Sequence, residues 1–135
     1  VVDAYDASLT LTAAADLSSA QNSYAAAAVG GYALFAGDTA DADVYDASLT
    51  KTTVSILSAA RQPDAVTAGG YAFFAGGDES GTVDVCDASL TRTTLTALIE
   101  ARDSMAAAAV GDYVLFAGGR NTESLYHDTV DVYTI

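Results

Sequence analysis

Val83-Asp-Val-Cys-Asp-Ala-Ser-Leu-Thr91 is the passage on which the fold of this chain turns. Its first four residues alternate apolar and polar, the mark of a strand. Its last five favour a turn, because Asp and Ser side chains bond back to nearby amides. The same passage is written as Asp3-Ala-Tyr-Asp-Ala-Ser-Leu-Thr10 and as Asp43-Val-Tyr-Asp-Ala-Ser-Leu-Thr50, and Asp131-Val-Tyr133 opens it a fourth time. Phe-Ala-Gly recurs in step at Phe35–Gly37, Phe74–Gly76 and Phe116–Gly118. A period of about forty residues means stacked units, none of which can bury its apolar faces alone.

The third copy is the fullest. After the turn, Thr93–Leu98 is β-branched and alternating, which predicts a second strand; its Thr content suits a wet outer position. Glu100–Asp103 is a polar connection, Met105–Val110 is small and apolar, and Gly111-Asp112 makes a tight turn. Tyr113–Ala117 is apolar on both faces, as a strand between two layers should be, and Gly118-Gly119 ends it. The tetra-alanine runs Ala25–Ala28 and Ala106–Ala109 invite a helix, since Ala is the best helix former. The matching segment of the second copy, Asp64–Ala68 after Pro63, is poor helix material. Equivalent segments should share one conformation, so all three are read as strands. Each unit then holds four antiparallel strands, the signature of a β-propeller blade.

At 135 residues and about half apolar, the chain suits one domain with a core. Eighteen acids against five bases give a formal charge of −13. Nucleic-acid binding needs clustered Lys and Arg, and an anionic membrane surface needs the same, so both partner classes are set aside. The acidity reads as a charged, self-repelling surface, with cation binding or tolerance of high salt as the sharper alternatives. Cys86 stands alone, so no internal disulfide exists. No signal-peptide pattern and no long apolar span is visible, and the compartment is left open.

The chain resembles the kelch-repeat family of β-propellers. The resemblance rests on Phe73-Phe-Ala-Gly-Gly77 and Leu115-Phe-Ala-Gly-Gly119, on the following Asp43-Val-Tyr-Asp46 strand, and on Ala60-Arg61 and Ala101-Arg102 before the small-residue strand. It departs from the family where Thr12, Thr52 and Thr93 stand near a customary Trp, where Cys86 replaces Tyr, and where Asp38 follows Gly37. The expectation is an all-β propeller segment over residues 1–135 with about three blades. Repeats run over about 1–41, 42–82 and 83–128, and a fourth starts at 129–135. Val2–Tyr5 and Thr10–Ala15 form an outer half-blade, Ser23–Leu57 and Asp64–Leu98 form full blades, and Met105–Val110, Tyr113–Ala117 and Thr129–Tyr133 form an inner part. Closed propellers need about four to eight blades. A homo-oligomeric ring, six blades from two chains for example, or a place in a longer propeller is therefore expected.

The resemblance implies a ligand-binding mouth formed by the loops after the second and fourth strands. The candidate residues there are Gln21, Asn22, Arg61, Gln62, Asp78, Glu79, Arg102, Asp103, Arg120 and Asn121. By position Arg61 and Arg102 look like rim residues able to grip carboxylates in a fork; the alternative is that each pairs with a local acid. Asp38, Asp41 and Asp43, or Asp78 and Glu79, offer oxygens to Ca²⁺, but the spacing is that of no EF-hand, and solvated turn acids are the simpler reading. Asp6, Asp46 and Asp87 are assigned to turn hydrogen bonds. One histidine, His127, cannot supply a copper site, and nothing in the sequence links it to Cys86 as a nucleophile pair. No cofactor, metal or catalytic residue is assigned. Three functions follow in order: a non-catalytic module that recognises a peptide, protein or glycan, a self-assembling structural or designed ring, and an enzyme with acids in the central mouth.

Overall fold

A computed structural model describes residues 1–135 as an all-β molecule without helices. Thirteen strands form four open antiparallel sheets, none of which closes on itself. The first sheet pairs β1 (Val2–Tyr5) with β2 (Leu11–Ala14). The second is a four-stranded meander of β3 (Ala25–Val29), β4 (Tyr32–Ala36), β5 (Asp41–Tyr45) and β6 (Lys51–Ser55). The third repeats it with β7 (Asp64–Ala68), β8 (Tyr71–Ala75), β9 (Val83–Cys86) and β10 (Arg92–Thr94). The fourth holds β11 (Ala106–Val110), β12 (Tyr113–Ala117) and β13 (Val130–Thr134).

Both alanine tracts are strands, β3 and β11. Their reason is tertiary. The strand β7 runs between β3 and β11, and small side chains permit that approach. Thr67 adds a polar link, its hydroxyl accepting from Ala28 N–H at 2.9 Å and donating to the Ala28 carbonyl at 2.8 Å.

The sheets stack face to face. Leu34, Ala36, Ala42 and Val44 cover Ala72, Phe74 and Cys86 of the next sheet. Phe73, Ala75, Val83 and Val85 in turn cover Val114 and Phe116. The middle strands β5, β8 and β9 are thus buried on both faces, and each enclosed Leu or Phe contributes about 1.5–3 kcal/mol. The strands β2, β6 and β10 lie outermost and are largely exposed, β6 and β10 each with two threonines.

The three Asp-Ala-Ser-Leu-Thr turns are superimposable in their bonding. Asp6 Oδ1 accepts from Ser8 and Thr10 N–H at 2.8 and 2.9 Å, and Asp46 and Asp87 do the same at their own turns. This arrangement holds Leu9, Leu49 and Leu90 at φ near +60°, a conformation costly for a side chain. One strand is shorter than its sequence suggests. The ladder expected over Thr93–Leu98 ends at Thr94, because the chain bends to place Leu98 in the core, 5 % exposed, with its N–H donating to Gly81 O at 2.9 Å.

Candidate functional site

Antiparallel meanders send the loops after the second and fourth strands of each sheet to one end. There the connections interlock. Gly77 has φ +81°, and a Cβ on it would lie 2.0 Å from the Gln62 carbonyl oxygen; one on Gly119 would lie 2.4 Å from that of Asp103. The diglycines therefore serve close backbone approach as well as left-handed geometry. Gly77 N–H also donates to Arg102 O at 3.0 Å.

Arg61 and Arg102 do not stand on the rim. The Arg61 Nη1 lies 2.8 Å from Asp84 Oδ2, both side chains being fully enclosed. Its Nε and Nη2 donate to Gly76 O and Phe74 O at 3.0 Å each. Arg102 pairs with Asp131 and donates to Gly118 O and Thr129 O. Each guanidinium closes the open end of its own sheet, so neither reaches an external carboxylate. Burial opposes ionisation of Asp84, but donors on Thr94, Ser58 and Arg61 outweigh it and hold the carboxyl below its ordinary range. In the first copy Gln21 occupies the arginine position. There Asp43 accepts from Ser18, with Lys51 Nζ 3.7 Å away.

The remaining candidates fall into two groups. Gln21 and Gln62 converge on Asp38: Gln21 Oε1 accepts from Asp38 N–H at 2.7 Å, and Gln62 donates to the Asp38 carboxylate. Asn22 is exposed beside them. The second group surrounds a hollow of about 140 Å³ lined by Gly77, Asp78, Glu79, Ala101, Arg102, Asp103, Arg120 and Thr122. Asp78 accepts from Thr82 N–H and Ser80 Oγ at 3.0 and 3.1 Å. Burial raises its pKa, yet these donors and the Arg61 charge prevail and lower it.

Arg120 is the cation of this hollow. Its Nε donates to Asp103 Oδ1 at 2.9 Å, and its side chain is 48 % exposed. Of the arginines it alone keeps both Nη groups clear of internal hydrogen bonds. The fork geometry of those groups suits a carboxylate or paired hydroxyls.

The loop carrying Arg120 has an order that sequence reading missed. Asn121 Oδ1 accepts from Glu123 and Leu125 N–H at 3.0 Å, and Ser124 N–H donates to Asn121 O at 2.9 Å with Ser124 at φ +61°. This is the Asp-Ala-Ser-Leu-Thr turn rebuilt with Asn in the place of Asp. The signal was present in Asn121-Thr-Glu-Ser-Leu125, hidden by the changed side chains. Bridges Asp103↔Arg120 and Arg120↔Tyr126 make the segment a small hairpin. Its returning arm exposes Leu125 and Tyr126, the latter at 87 %. His127 Nδ1 lies 3.0 Å from Glu100 Oε2, and Asn121 Nδ2 lies 3.4 Å from Glu100 Oε1.

Cys86 faces inward between two sheets, and burial, then Asp87, push its thiol pKa up. That is the opposite of nucleophile activation. No three of the His, Cys, Asp and Glu side chains gather closely enough to hold a metal. No family model matches the chain, and no curated protein matches it.

Proposed function

We propose that the chain is a kelch-type propeller segment and acts as a non-catalytic recognition module. Its loop end binds a peptide, a protein or a glycan. The observation that carries the reading is the Arg120–Tyr126 hairpin. It joins a guanidinium with two free donor groups to an exposed Tyr and Leu, beside a polar hollow contributed by three chain segments. Arg and Tyr are the side chains that most often anchor recognition surfaces. The hairpin is fixed on Asp103 and Glu100, so little ordering entropy is lost on binding. The propeller reading is supported by the period, the meander order of the four-stranded sheets and the adjacency of the small-residue strands.

The test is a screen of the labelled chain on peptide and glycan arrays, followed by titration of any hit. Arg120→Ser and Tyr126→Ser should each weaken that hit at least tenfold while leaving the unfolding midpoint unchanged. A hit insensitive to both substitutions, or no hit on either array, removes the reading.

A further inference from the structure

The loop-end hollow holds charges of both signs that do not all neutralise one another, and this narrows what it can take. At about 140 Å³ it has room for a few waters, so it seats one small group of a ligand. Most of its charged side chains are already engaged. Arg102 is held by Asp131 and by backbone carbonyls. Asp78 accepts from Thr82 N–H and Ser80 Oγ. Asp103 accepts from Arg120 Nε and Ser104 Oγ. Two groups keep open bonding positions: the Nη pair of Arg120 and the carboxylate of Glu79. Both residues are exposed. Every ion pair of the chain is made by another acid, so Glu79 and Arg120 line one hollow without touching. Thr122 adds an exposed hydroxyl to the same wall.

A charged ligand fits this wall poorly. A carboxylate brought to Arg120 meets Glu79, Asp78 and Asp103, in a chain whose formal charge is −13. A lysine or arginine is drawn by that charge but meets Arg120 at the contact, where repulsion is strongest. A hydroxyl suits both sides at once, because it accepts from a guanidinium N–H and donates to a carboxylate oxygen. Two adjacent hydroxyls match the Arg120 fork and the two Glu79 oxygens together. The bridges Asp103↔Arg120 and Arg120↔Tyr126 also set these three side chains in a row on one face. The exposed Tyr126 ring therefore stands beside the guanidinium and offers an apolar face. Hydroxyls on one edge and C–H groups on a face are the make-up of a sugar ring.

We infer that the hollow seats a neutral glycan, with two adjacent ring hydroxyls held between Arg120 and Glu79 and the C–H face of the sugar on Tyr126. The inference rests on the recognition reading above and names its ligand class.

NMR titration of the nitrogen-15-labelled chain tests it, with three kinds of probe: neutral trisaccharides of glucose, galactose and mannose, glucuronic acid, and trilysine. A neutral trisaccharide should shift the amides of Gly77–Glu79 and Arg120–Thr122 saturably, with an affinity little changed between low and high salt. Glu79→Ala and Arg120→Ser should each weaken it about tenfold or more, at an unchanged unfolding midpoint. The rivals give opposite signs: an acidic ligand gains from Glu79→Ala, and a cationic one gains from Arg120→Ser. Preference for glucuronic acid or trilysine, or a neutral hit indifferent to Glu79→Ala, overturns the inference and leaves recognition at the loop end in place. Absence of binding by every probe also overturns it, and the array screen then decides the broader reading separately.

Discussion

Replacing Asp84 by Asn leaves the Arg61 guanidinium inside the protein with no opposing charge. Asp84 accepts from Ser58 N–H at 2.7 Å, Ser58 Oγ at 2.9 Å, Arg61 Nη1 at 2.8 Å and Thr94 Oγ1 at 2.6 Å. Both partners of the ion pair have fully enclosed side chains. Breaking a buried pair from one side costs about 3–5 kcal/mol, mostly through the charge left behind. With a urea slope of roughly 2 kcal/mol/M, the midpoint falls by about 2 M at unchanged slope. Arg61→Gln should cost less, about 2 kcal/mol, because the carboxylate keeps its donors on Ser58 and Thr94. The first copy is built this way, with Gln21 at the arginine position and Ser18 on Asp43. Equilibrium urea unfolding of both variants at neutral pH measures the asymmetry. A midpoint shift under about 0.5 M for Asp84→Asn, or a larger loss for Arg61→Gln, would refute the reasoning.

Acid should destabilise the chain below the ordinary carboxylate range. Asp84 and Asp78 have lowered pKa values, so their contribution is present above the unfolded value and disappears as pH falls through their folded values. Asp64 works the other way: burial above all raises its pKa, so its contribution is present below the unfolded value and is lost as pH rises through the folded one. Asp64→Asn should therefore raise the urea midpoint at neutral pH and leave it little changed in acid. Leu9→Gly relieves a left-handed residue that is 81 % exposed and should stabilise by up to about 1 kcal/mol in urea unfolding. Leu90→Gly relieves the same strain but removes a side chain packed on the core, and should lose about 1–3 kcal/mol. Burial, then Asp131, push the Tyr133 hydroxyl up to about 12, so an ultraviolet titration should find this phenol still protonated after exposed tyrosines have ionised. Tyr133→Phe removes the 2.8 Å bond to Thr96 O and should cost about 1 kcal/mol.

Much of the fold was legible because repetition supplies internal comparison. Asp64–Ala68 after Pro63 is poor helix material, and because equivalent segments share one conformation this decided the reading of Ala25–Ala28 and Ala106–Ala109, whose own propensity pointed elsewhere. The Asp6, Asp46 and Asp87 turns were legible because their bonds span only two to four residues. The candidate site was legible only as a set of loops. Asp78, Glu79, Asp103 and Arg120 do meet around one hollow, and Gln21 and Gln62 meet at Asp38. Arg61 and Arg102 turned out to be internal, because their acids lie 23 and 29 residues away and three-dimensional pairing alone brings them together. The Asn121 turn escaped because an amide oxygen does there what a carboxylate does elsewhere. Leu125 and Tyr126 escaped because exposure is not written in a residue's type.

Local chemistry was thus decided by the order of residues alone: which segments alternate, where Asp and Ser stop them, and that the pattern returns about every forty positions. Those are properties of neighbours along the chain, and side-chain period and turn bonding act over a few residues. The tertiary structure decided which charges are enclosed and which arginine keeps free donors. Those properties depend on contacts between distant segments, and only the stacking of one sheet on the next creates them.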